Sequence, residues 1–480
     1  MDHSQVPLYR ALKKHSSRSP LSFHVPGHKY GKVFPSIENE DFQGILKIDA
    51  TEITGLDDLH APEGVIMEAE DLLADLYKVQ KSFFLVNGST VGNLAMIMAV
   101  CKENDIVLVQ RNCHKSIMNA IKLARAHPIF LEPEYDEDWG VAAGVTIATI
   151  SKALDQYPNA NALILTYPNY YGMTYDLKSI IKVSHEKDVP VLVDEAHGAH
   201  FTIGGNFPTS ATTLGADIVI QSAHKTLPAM TMGSYLHFNS KRVSITEISE
   251  YLHMFQSSSP SYPIMASLDL ARAYLATFSG EDYDSLMREI RSFKKEVEHL
   301  DGLKVNTYKE GMLDPLKLTI QSTSGLTGYE LQNQFEGVGI FTEMADPQNV
   351  ILVLPLLKKT QQNFFAEALE RMKKVSFGLK GTNMEREAIR TSKKPISELA
   401  LSYKQMEGLS VTYIELEESD GRISAETIIP YPPGIPLILT GERLTSSVIS
   451  NMKRLMSYGS RFQGGESLEQ GKIRVFSQSS

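Results

Sequence analysis

The stretch DIVIQSAHKT (residues 217–226) joins an apolar run to a histidine and a lysine. Its first five residues have the β-branched character of a buried strand. Lys225 follows that run, and burying an unpaired ammonium group is so costly that chains usually tolerate it only where the amine takes part in chemistry. A desolvated amine of this kind can form a Schiff base with a carbonyl compound. The stretch therefore predicts a strand that ends near a reactive lysine.

Similar apolar runs recur along the first half of the chain and alternate with stretches of helical periodicity. They are DIVLVQ (105–110), PIFLEP (128–133), NALILT (161–166), PVLVD (190–194) and DIVIQ (217–221). Continuous β-branched runs between helices are typical of a parallel sheet that is covered on both faces. Ligands of such sheets bind at the carboxyl ends of the strands. The sequence therefore predicts an α/β fold with a large, mainly parallel sheet and a site at that edge.

The pattern changes along the chain, which has 480 residues, 42% of them hydrophobic and 22% charged, as is typical of a globular protein. The first residues look irregular, and after about residue 280 a long charged helix leads into shorter strands and helices. We therefore predict an N-terminal arm, a large cofactor-binding α/β domain, a smaller α+β domain and a C-terminal domain, with the bounds 1–45, 46–280, 281–390 and 391–480.

Charge and cysteine content restrict the partners and the compartment. The chain has 47 basic and 57 acidic side chains, a balance of −10, which argues against nucleic acid and is compatible with cationic small substrates. Its two cysteines, Cys101 and Cys113, form no C-x-x-C motif and indicate no disulfide framework. The sequence shows no signal-peptide core and no apolar run as long as a membrane helix requires. We therefore expect a cytoplasmic protein that acts on a small molecule, without a membrane partner.

Three other motifs lack the companions that their usual functions require. SAHKT contains the S-x-x-K of serine acyl-transferring enzymes, but the chain has neither S-D-N nor K-T-G. DEAH (194–197) is spelled like a Walker B box, but no G-K-[ST] accompanies it. HVPGH (24–28) has two histidines four residues apart, but Pro26 and Gly27 oppose a helix and no third metal ligand is evident. We therefore expect no bound metal.

Pyridoxal phosphate is the carbonyl cofactor for which the chain has further candidate residues. Asp194 ends an apolar strand, where its carboxylate could face a ring nitrogen, or could cap the next turn instead. The segment GST (88–90) lies between a strand and a helix and offers amides, hydroxyls and a helix dipole to an anion. A plain capping turn would use the same residues.

Two more strand ends carry residues of suitable types. Ser222 and His224 flank Lys225 and could complete a phosphate site. His114 follows the run DIVLVQ and could stack on the cofactor ring, although a histidine there is also common as an ordinary core or surface residue. Candidates at four strand ends of one predicted sheet together favour a pyridoxal phosphate site with Lys225 as its amine.

The chain resembles the class-I Orn/Lys/Arg decarboxylases, which are pyridoxal-phosphate enzymes with the aspartate aminotransferase fold (fold type I). The resemblance covers nearly the whole chain and rests on the order and spacing of FHVPGHKYG (23–31), DATEITGLDDLHAPEG (49–64), NGSTVGN (87–93), RNCHKS (111–116), DEAHGAH (194–200), SAHKTLPAMTMGS (222–234), SSSPSYPIMASLD (257–269) and GRISAETIIPYPPGIPLILTGE (421–442). The chain is similar in length to the compact Gram-positive branch, which resembles arginine decarboxylase and lacks an N-terminal wing domain.

The resemblance implies a role for each matching residue and a sheet of seven strands. Lys225 forms the Schiff base with pyridoxal 5'-phosphate, Asp194 pairs with the pyridinium nitrogen, and His114 stacks on the ring. The further cofactor contacts that it implies are Ala196 on the other ring face, His197 near the ring hydroxyl, and Ser89, Thr90, Ser222 and His224 at the phosphate. It also implies a homodimer or higher homo-oligomer in which the SSSPSY segment contributes to the active site across the subunit interface.

The reaction that the resemblance implies is decarboxylation of a basic amino acid to an amine, as in polyamine biosynthesis. We expect arginine as the substrate, then lysine and ornithine. A cationic side chain needs a carboxylate partner, and the candidates are Glu52, Asp57, Asp58 and Glu426. The two adjacent aspartates could instead cap a turn. Either His224 or Lys225 could be the acid that protonates Cα.

Two alternatives remain open at this point. Another fold-type-I reaction, transamination or aldol cleavage, would use the same lysine, although the arginine that aspartate-type transaminases often carry soon after it is missing from TLPAMTMGSY. A non-catalytic regulator could keep the fold, but the intact Lys225 and Asp194 argue against it. One departure from the family pattern is Thr440, where many relatives have proline.

Overall fold

A computed structural model describes residues 1–35, 39–361, 364–375, 394–431 and 434–477. The chain divides into two compact units. Unit 1 consists of Met1–Ala99, Leu192–Gly205 and Thr209–Ser279, and unit 2 consists of Val100–Val191, Asn206–Pro208 and Gly280–Ser480. The predicted boundary between residues 390 and 391 lies outside the described residues, as do the two prolines at 432 and 433 in the C-terminal motif. The division into an arm and three domains stays a prediction.

Unit 1 contains four strands of the large sheet. Their spatial order is Lys81–Leu85, Ser234–Phe238, Ile218–Gln221 and Val191–Asp194. The first residue of the last strand, Val191, is assigned to unit 2, and the rest of that strand belongs to unit 1. The last two strands are parallel, and the first two pairings are antiparallel. The helices of this unit are Pro7–Ser17, Asn39–Leu46, Val65–Tyr77, Gly88–Val100, Ala211–Leu214, Ala223–Thr226, Ile245–Phe255 and Tyr262–Ala276, with a 3₁₀ turn at Phe201–Ile203.

Close packing in unit 1 depends on a glycine in helix Gly88–Val100. A Cβ atom at Gly92 would lie 2.8 Å from Leu85 Cδ1 and 2.9 Å from Ile220 Cδ1. Leu85 and Ile220 are fully buried strand residues, so the missing side chain lets the helix approach the sheet. The N-terminus of the helix is thereby held close to the carboxyl end of strand Lys81–Leu85.

Unit 2 contains the other four strands of the large sheet and several smaller sheets. The large-sheet strands follow the order Ala160–Thr166, Ile106–Gln110, His127–Leu131 and Ile396–Glu398. The four-stranded sheet has the order Leu303–Val305, Lys317–Ser322, Asn349–Val353 and Met344–Ala345. Three two-stranded pairs are Val411–Glu415 with Lys472–Phe476, Ile429–Pro430 with Phe462–Gln463, and Tyr135–Asp136 with Val141–Ala142.

Unit 2 also contains several helices. They are Lys115–Ala124, Ile147–Gln156, Leu177–Glu186, Gly280–Glu298, Gly328–Gly337, Phe364–Met372, Tyr403–Met406 and Ser446–Ser457, with 3₁₀ turns at Leu416–Glu418 and Leu468–Gln470. None of the helices in the described ranges has the length and apolarity that crossing a bilayer requires.

The architecture confirms the predicted α/β class with a large, mostly parallel sheet. Each of the five apolar runs quoted above overlaps one of its strands, to within one residue at the start. The large sheet has eight strands, one more than the seven that the family resemblance implied. The additional edge strand, Ile396–Glu398, pairs antiparallel with His127–Leu131. This strand joins the sheet mainly through backbone hydrogen bonds, which do not require apolar side chains. It is therefore too short and too polar to be recognised as an apolar run in the sequence.

Two glycines at opposite ends of one helix provide a test of the packing in unit 2. A Cβ atom at Gly328 would lie 2.2 Å from the Asp346 carbonyl oxygen, whereas Gly337 has open space around it. We expect Gly328→Ala to lower the free energy of unfolding by about 1–3 kcal/mol, because backbone must move. The matched Gly337→Ala should be neutral or slightly stabilising. Denaturant unfolding measures both, and equal losses would contradict this packing.

Candidate active site

The amine of Lys225 lies beside a histidine in unit 1. Lys225 is on the short helix Ala223–Thr226, directly after strand Ile218–Gln221. Its Nζ is 3.1 Å from Nε2 of His197, which is buried. An ammonium group can only donate, so in that state the imidazole Nε2 accepts its hydrogen. The contact gives the half-buried amine a neighbour that can exchange a proton with it.

The carboxylate of Asp194 is held by two hydrogen bonds at the end of strand Val191–Asp194. Asp194 is only 4% exposed. Its Oδ2 accepts from Asn93 Nδ2 at 3.0 Å, and its Oδ1 accepts from the Ala196 backbone N–H at 3.2 Å. Asn93 was missed by the sequence reasoning. Two signals were available: it ends the motif NGSTVGN, and it lies four residues after Ser89 on the same helical face.

The start of helix Gly88–Val100 forms the turn that was predicted to bind an anion. The hydroxyl of Ser222 donates to Ser89 Oγ at 2.9 Å, and the Gly88 N–H donates to the Met232 carbonyl oxygen at 2.9 Å. Gly88 has a φ of +76°, a left-handed conformation that favours glycine. Thr90 is exposed at the same helix start. Hydroxyls and the amides of a helix N-terminus are a suitable donor set for a phosphate group.

The ring of His224 is oriented by a backbone carbonyl. Its Nδ1 is 3.0 Å from the Gly233 carbonyl oxygen, which also accepts the His224 backbone N–H at 3.2 Å. Because a carbonyl oxygen can only accept, Nδ1 carries the hydrogen. The Nε2 atom therefore carries a hydrogen only when the ring is the imidazolium ion, which is the form that could donate to a phosphate.

A buried chain of hydrogen bonds lies next to these residues in sequence. Gln221 Nε2 donates to Glu195 Oε2 at 2.6 Å, and Gln221 Oε1 is 3.0 Å from His237 Nε2. Burial raises the pKa of Glu195 to about 8, against the opposing effect of its hydrogen bonds, and lowers that of His237 to about 3. Glu195 directly follows Asp194, and Gln221 directly precedes Ser222. These buried hydrogen bonds therefore restrain the backbone beside two candidate site residues, Asp194 and Ser222.

His114 lies in unit 2, where it caps a helix. Its Nδ1 is 3.2 Å from the Ser116 backbone nitrogen and 2.8 Å from Ser116 Oγ, at the N-terminus of helix Lys115–Ala124. The other candidate cofactor residues belong to unit 1. The stacking role of His114 therefore stays a prediction.

A buried ion pair lies three residues before His114 and was not anticipated. Arg111 is 2% exposed, and its Nε and Nη2 are 3.1 and 2.9 Å from the two carboxylate oxygens of Glu442. Its Nη1 also donates to the Pro436 carbonyl oxygen at 2.7 Å. This two-point contact joins the RNCHKS motif to the C-terminal motif within unit 2.

The carboxylates proposed for substrate binding in unit 1 make local contacts. Asp57 accepts backbone hydrogen bonds from Glu63, Gly64 and Ile66 at 3.0, 2.8 and 2.9 Å, at the start of helix Val65–Tyr77. Burial raises the pKa of Asp57, but these hydrogen bonds outweigh it and lower the pKa. Asp58 accepts from the His60 N–H at 2.9 Å, and Glu52 accepts from the Thr51 hydroxyl. These contacts favour the capping alternative for the two aspartates.

Glu426 and Thr440 lie in the C-terminal motif in unit 2. The carboxylate of Glu426 accepts from the backbone N–H groups of Arg474 and Gly465 at 2.7 and 3.2 Å. A role for Glu426 in substrate binding stays a prediction. The Thr440 N–H donates to Thr427 Oγ1 at 3.1 Å, a hydrogen bond that a proline at this position could not make.

The two histidines of HVPGH occupy an irregular segment. His28 Nε2 is 3.0 Å from Asp49 Oδ2, and the His24 side chain contacts its neighbouring backbone. Over the residues that the structure describes, no group of three or more histidine, cysteine, aspartate or glutamate side chains is arranged to hold a metal ion.

Comparison with known proteins identifies the family. The model described as the Orn/Lys/Arg decarboxylase major domain matches residues 6–309, and that of its C-terminal domain matches residues 382–478. A Bacillus subtilis arginine decarboxylase is 35% identical over 99% of this chain and 98% of its own length. The chain belongs to the Orn/Lys/Arg decarboxylase family. The resemblance found in its motifs is confirmed, and the protein is a decarboxylase.

Other relatives of this decarboxylase extend the comparison. The Bacillus subtilis protein YaaO, which is named as uncharacterized, is 46% identical over 98% of each chain. The solved structure of the constitutive lysine decarboxylase of E. coli superposes with a TM-score of 0.78 at 22% identity, over 99% of this chain and 82% of that chain. This likeness confirms the predicted fold.

Pyridoxal phosphate is the cofactor that membership of this decarboxylase family indicates. The residues of unit 1 fit it chemically. Lys225 supplies an amine for the aldehyde, Asp194 supplies a carboxylate for the ring nitrogen, and the Ser89 turn supplies hydroxyl and amide donors for the phosphate. The three groups occur together in one compact unit.

The raised pKa of Glu195 predicts a pH-dependent stability. Between its ordinary value of 4.5 and the folded value of about 8, the unfolded chain loses the proton while the folded chain keeps it. The free energy of unfolding should therefore fall with rising pH over this window, by up to about 1.4 kcal/mol per unit from this group.

Glu195→Gln removes the titrating group but keeps the size of the side chain. We expect the stability of the wild type relative to this variant to decrease between pH 5 and pH 8, as measured by urea unfolding across that range. Other titrating groups contribute equally to both proteins and cancel. Parallel profiles would show that Glu195 keeps its ordinary pKa in the fold.

Proposed function

We propose that the protein removes the carboxyl group of a basic amino acid with pyridoxal phosphate, which it holds through Lys225. The observation that carries this proposal is the contact of the Lys225 amine with His197 in the unit that also contains Asp194 and the Ser89–Ser222 pair. We propose arginine as the substrate, supported by the 35% identity to an arginine decarboxylase over nearly the whole of both chains. Lysine and then ornithine are the next candidates.

The proposed chemistry divides between the cofactor and the residues. When bound, pyridoxal phosphate accepts the electron pair that is left at Cα when the carboxyl group departs. Asp194, held by Asn93, keeps a proton on the ring nitrogen by charge pairing. His197 takes a proton from Lys225 Nζ, so that the amine can act as a nucleophile.

The phosphate end is assigned to residues around the start of helix Gly88–Val100. We propose that Ser89, Thr90 and Ser222 donate hydroxyl hydrogen bonds, for which the Ser222 hydroxyl turns from Ser89 Oγ to the phosphate, and that the helix N-terminus contributes amides and its dipole. His224 would donate through Nε2 in its imidazolium form, because Gly233 holds its Nδ1.

The remaining roles are contact with the two faces of the cofactor ring and protonation of the substrate Cα. We propose that His114 stacks on one face of the ring, that Ala196 packs on the other, and that His197 also lies near the ring hydroxyl. Either Lys225 or His224 returns a proton to Cα. Lys225 has the advantage that His197 can resupply its proton directly.

We further propose a cytoplasmic homodimer in which residues 257–262 reach the partner's active site. Ser261 caps helix Tyr262–Ala276, and the Ser257 carbonyl oxygen is 2.8 Å from His60 Nε2. These contacts hold both ends of the segment within its own subunit. Chain exchange between two inactive variants, one in this segment and one at Lys225, would restore partial activity only if the site is shared.

The proposed reaction predicts a defined set of products. Protein incubated with pyridoxal phosphate and arginine should release CO2 and the corresponding amine. Lys225→Ala should lower that rate at least about a thousandfold, because it removes the group that holds the cofactor. The exposed Lys241→Ala is the matched control and should keep the wild-type rate. Mass spectrometry and CO2 capture identify the products.

The same assay with lysine and ornithine separates the substrates. If CO2 and amine are released only from lysine, or only from ornithine, that amino acid is the substrate and arginine is not. A keto acid in place of CO2 and amine would instead identify a transaminase.

The phosphate assignment predicts a loss of cofactor affinity. Ser222→Ala removes the hydroxyl that donates to Ser89 Oγ. We expect the dissociation constant of pyridoxal phosphate to rise about tenfold, while that of pyridoxal, which lacks the phosphate, stays nearly unchanged. Absorbance titration of the apo-protein measures both constants. An equal loss for the two ligands would place Ser222 away from the phosphate.

A further inference from the structure

Asn93 is a buried amide for which the motifs indicated no role. It is 1% exposed, and it lies in the first turns of helix Gly88–Val100. Its Nδ2 donates to Asp194 Oδ2, while the Ala196 N–H donates to Asp194 Oδ1. One hydrogen bond to each oxygen opposes rotation of the carboxylate about its Cβ–Cγ bond. The orientation of Asp194 therefore depends on a side chain from another element.

We propose that Asn93 is a positioning residue that orients the Asp194 carboxylate toward the ring nitrogen of the cofactor. The inference rests on the proposed function, which assigns Asp194 to that nitrogen. A carboxylate oxygen accepts more than one hydrogen bond, so Oδ2 can accept from Asn93 and still accept from a second donor. The amide adds a donor without adding charge, and the carboxylate keeps its full charge for the cofactor.

The helix connects this carboxylate to the phosphate turn. Ser89 precedes Asn93 by four residues, so both side chains lie on the same helical face. Ser89 Oγ accepts a hydrogen bond from Ser222 Oγ at 2.9 Å, and Asn93 Nδ2 donates to Asp194 Oδ2 at 3.0 Å. One rigid helix therefore sets the spacing between the group that binds the phosphate and the group that binds the ring nitrogen.

A purely structural amide would behave differently from a positioning residue. Losing a structural hydrogen bond would lower the stability of the apo-protein and leave the properties of the bound cofactor unchanged. Losing a positioning contact would weaken cofactor binding and alter the pH dependence of its absorption. It would also lower kcat more than it changes KM, because Asn93 is not assigned to the substrate.

The experiment compares Asn93→Ala with a matched loss of a buried amide in unit 2. Asn306 is also buried, and its Nδ2 donates to Asn349 Oδ1 at 3.2 Å. We expect Asn93→Ala to raise the dissociation constant of pyridoxal phosphate about tenfold and to shift the pH midpoint of the bound-cofactor absorption band. Asn306→Ala should leave both quantities at their wild-type values. Thermal unfolding of each apo-protein reports any general loss of stability.

Asn93→Asp provides a second variant that tests the donor itself. At neutral pH the introduced carboxylate would repel Asp194 and weaken cofactor binding. At lower pH the introduced group would gain a proton and donate again, so its affinity relative to the wild type at the same pH should recover. If the cofactor affinity of Asn93→Asp relative to the wild type does not recover at lower pH, the inference is overturned, even if Asn93→Ala folds poorly.

The outcomes separate this inference from the proposed function. Wild-type protein that binds pyridoxal phosphate and decarboxylates its substrate, with Asn93→Ala equal to it in affinity, absorption and kcat, would overturn the inference alone. Wild-type protein that binds no pyridoxal phosphate would overturn the proposed function and this inference together.

Discussion

The contact between the Lys225 amine and His197 is the interaction on which the rest of the site depends. A lysine at the end of a buried strand loses hydration, and the fold has to compensate for it with a polar neighbour. His197 provides that neighbour at 3.1 Å and can also exchange a proton. Both residues follow strands of the same parallel pair, whose carboxyl ends lie at one edge. The parallel pairing therefore brings the Lys225 amine and the His197 imidazole to the same edge of the sheet.

Helix Gly88–Val100 adds the second constraint. Ser89, near its N-terminus, accepts a hydrogen bond from the Ser222 hydroxyl, while Asn93 donates to the carboxylate of Asp194. The absence of a side chain at Gly92 allows the helix to lie close enough to the strands for both contacts. Behind them, Glu195 and Gln221 form buried hydrogen bonds that fix the chain on either side. The residues proposed to bind the cofactor and the residues that pack the core thus share the same few backbone positions.

Much of this arrangement could be predicted from the sequence, because the decisive residues end apolar runs. Lys225, Asp194 and the GST turn were selected as candidates in this way, and the structure places them in one unit. Asn93 was missed because an amide in a helix resembles any other buried amide until its partner is known. The edge strand Ile396–Glu398 was missed because backbone pairing leaves no side-chain pattern. For Asp57 the sequence left two roles open, and its hydrogen bonds from backbone amides favour the cap over the substrate contact.

Lys225 is the residue that we propose holds pyridoxal phosphate, and its attachment to the cofactor can be observed directly. The most direct measurement is borohydride reduction of the protein with the cofactor, followed by digestion and mass spectrometry of its peptides. Reduction converts the carbon–nitrogen double bond into a stable single bond and leaves the cofactor attached to its lysine. The label should lie on the peptide that contains Lys225. A label confined to another lysine, or none at all, would contradict it.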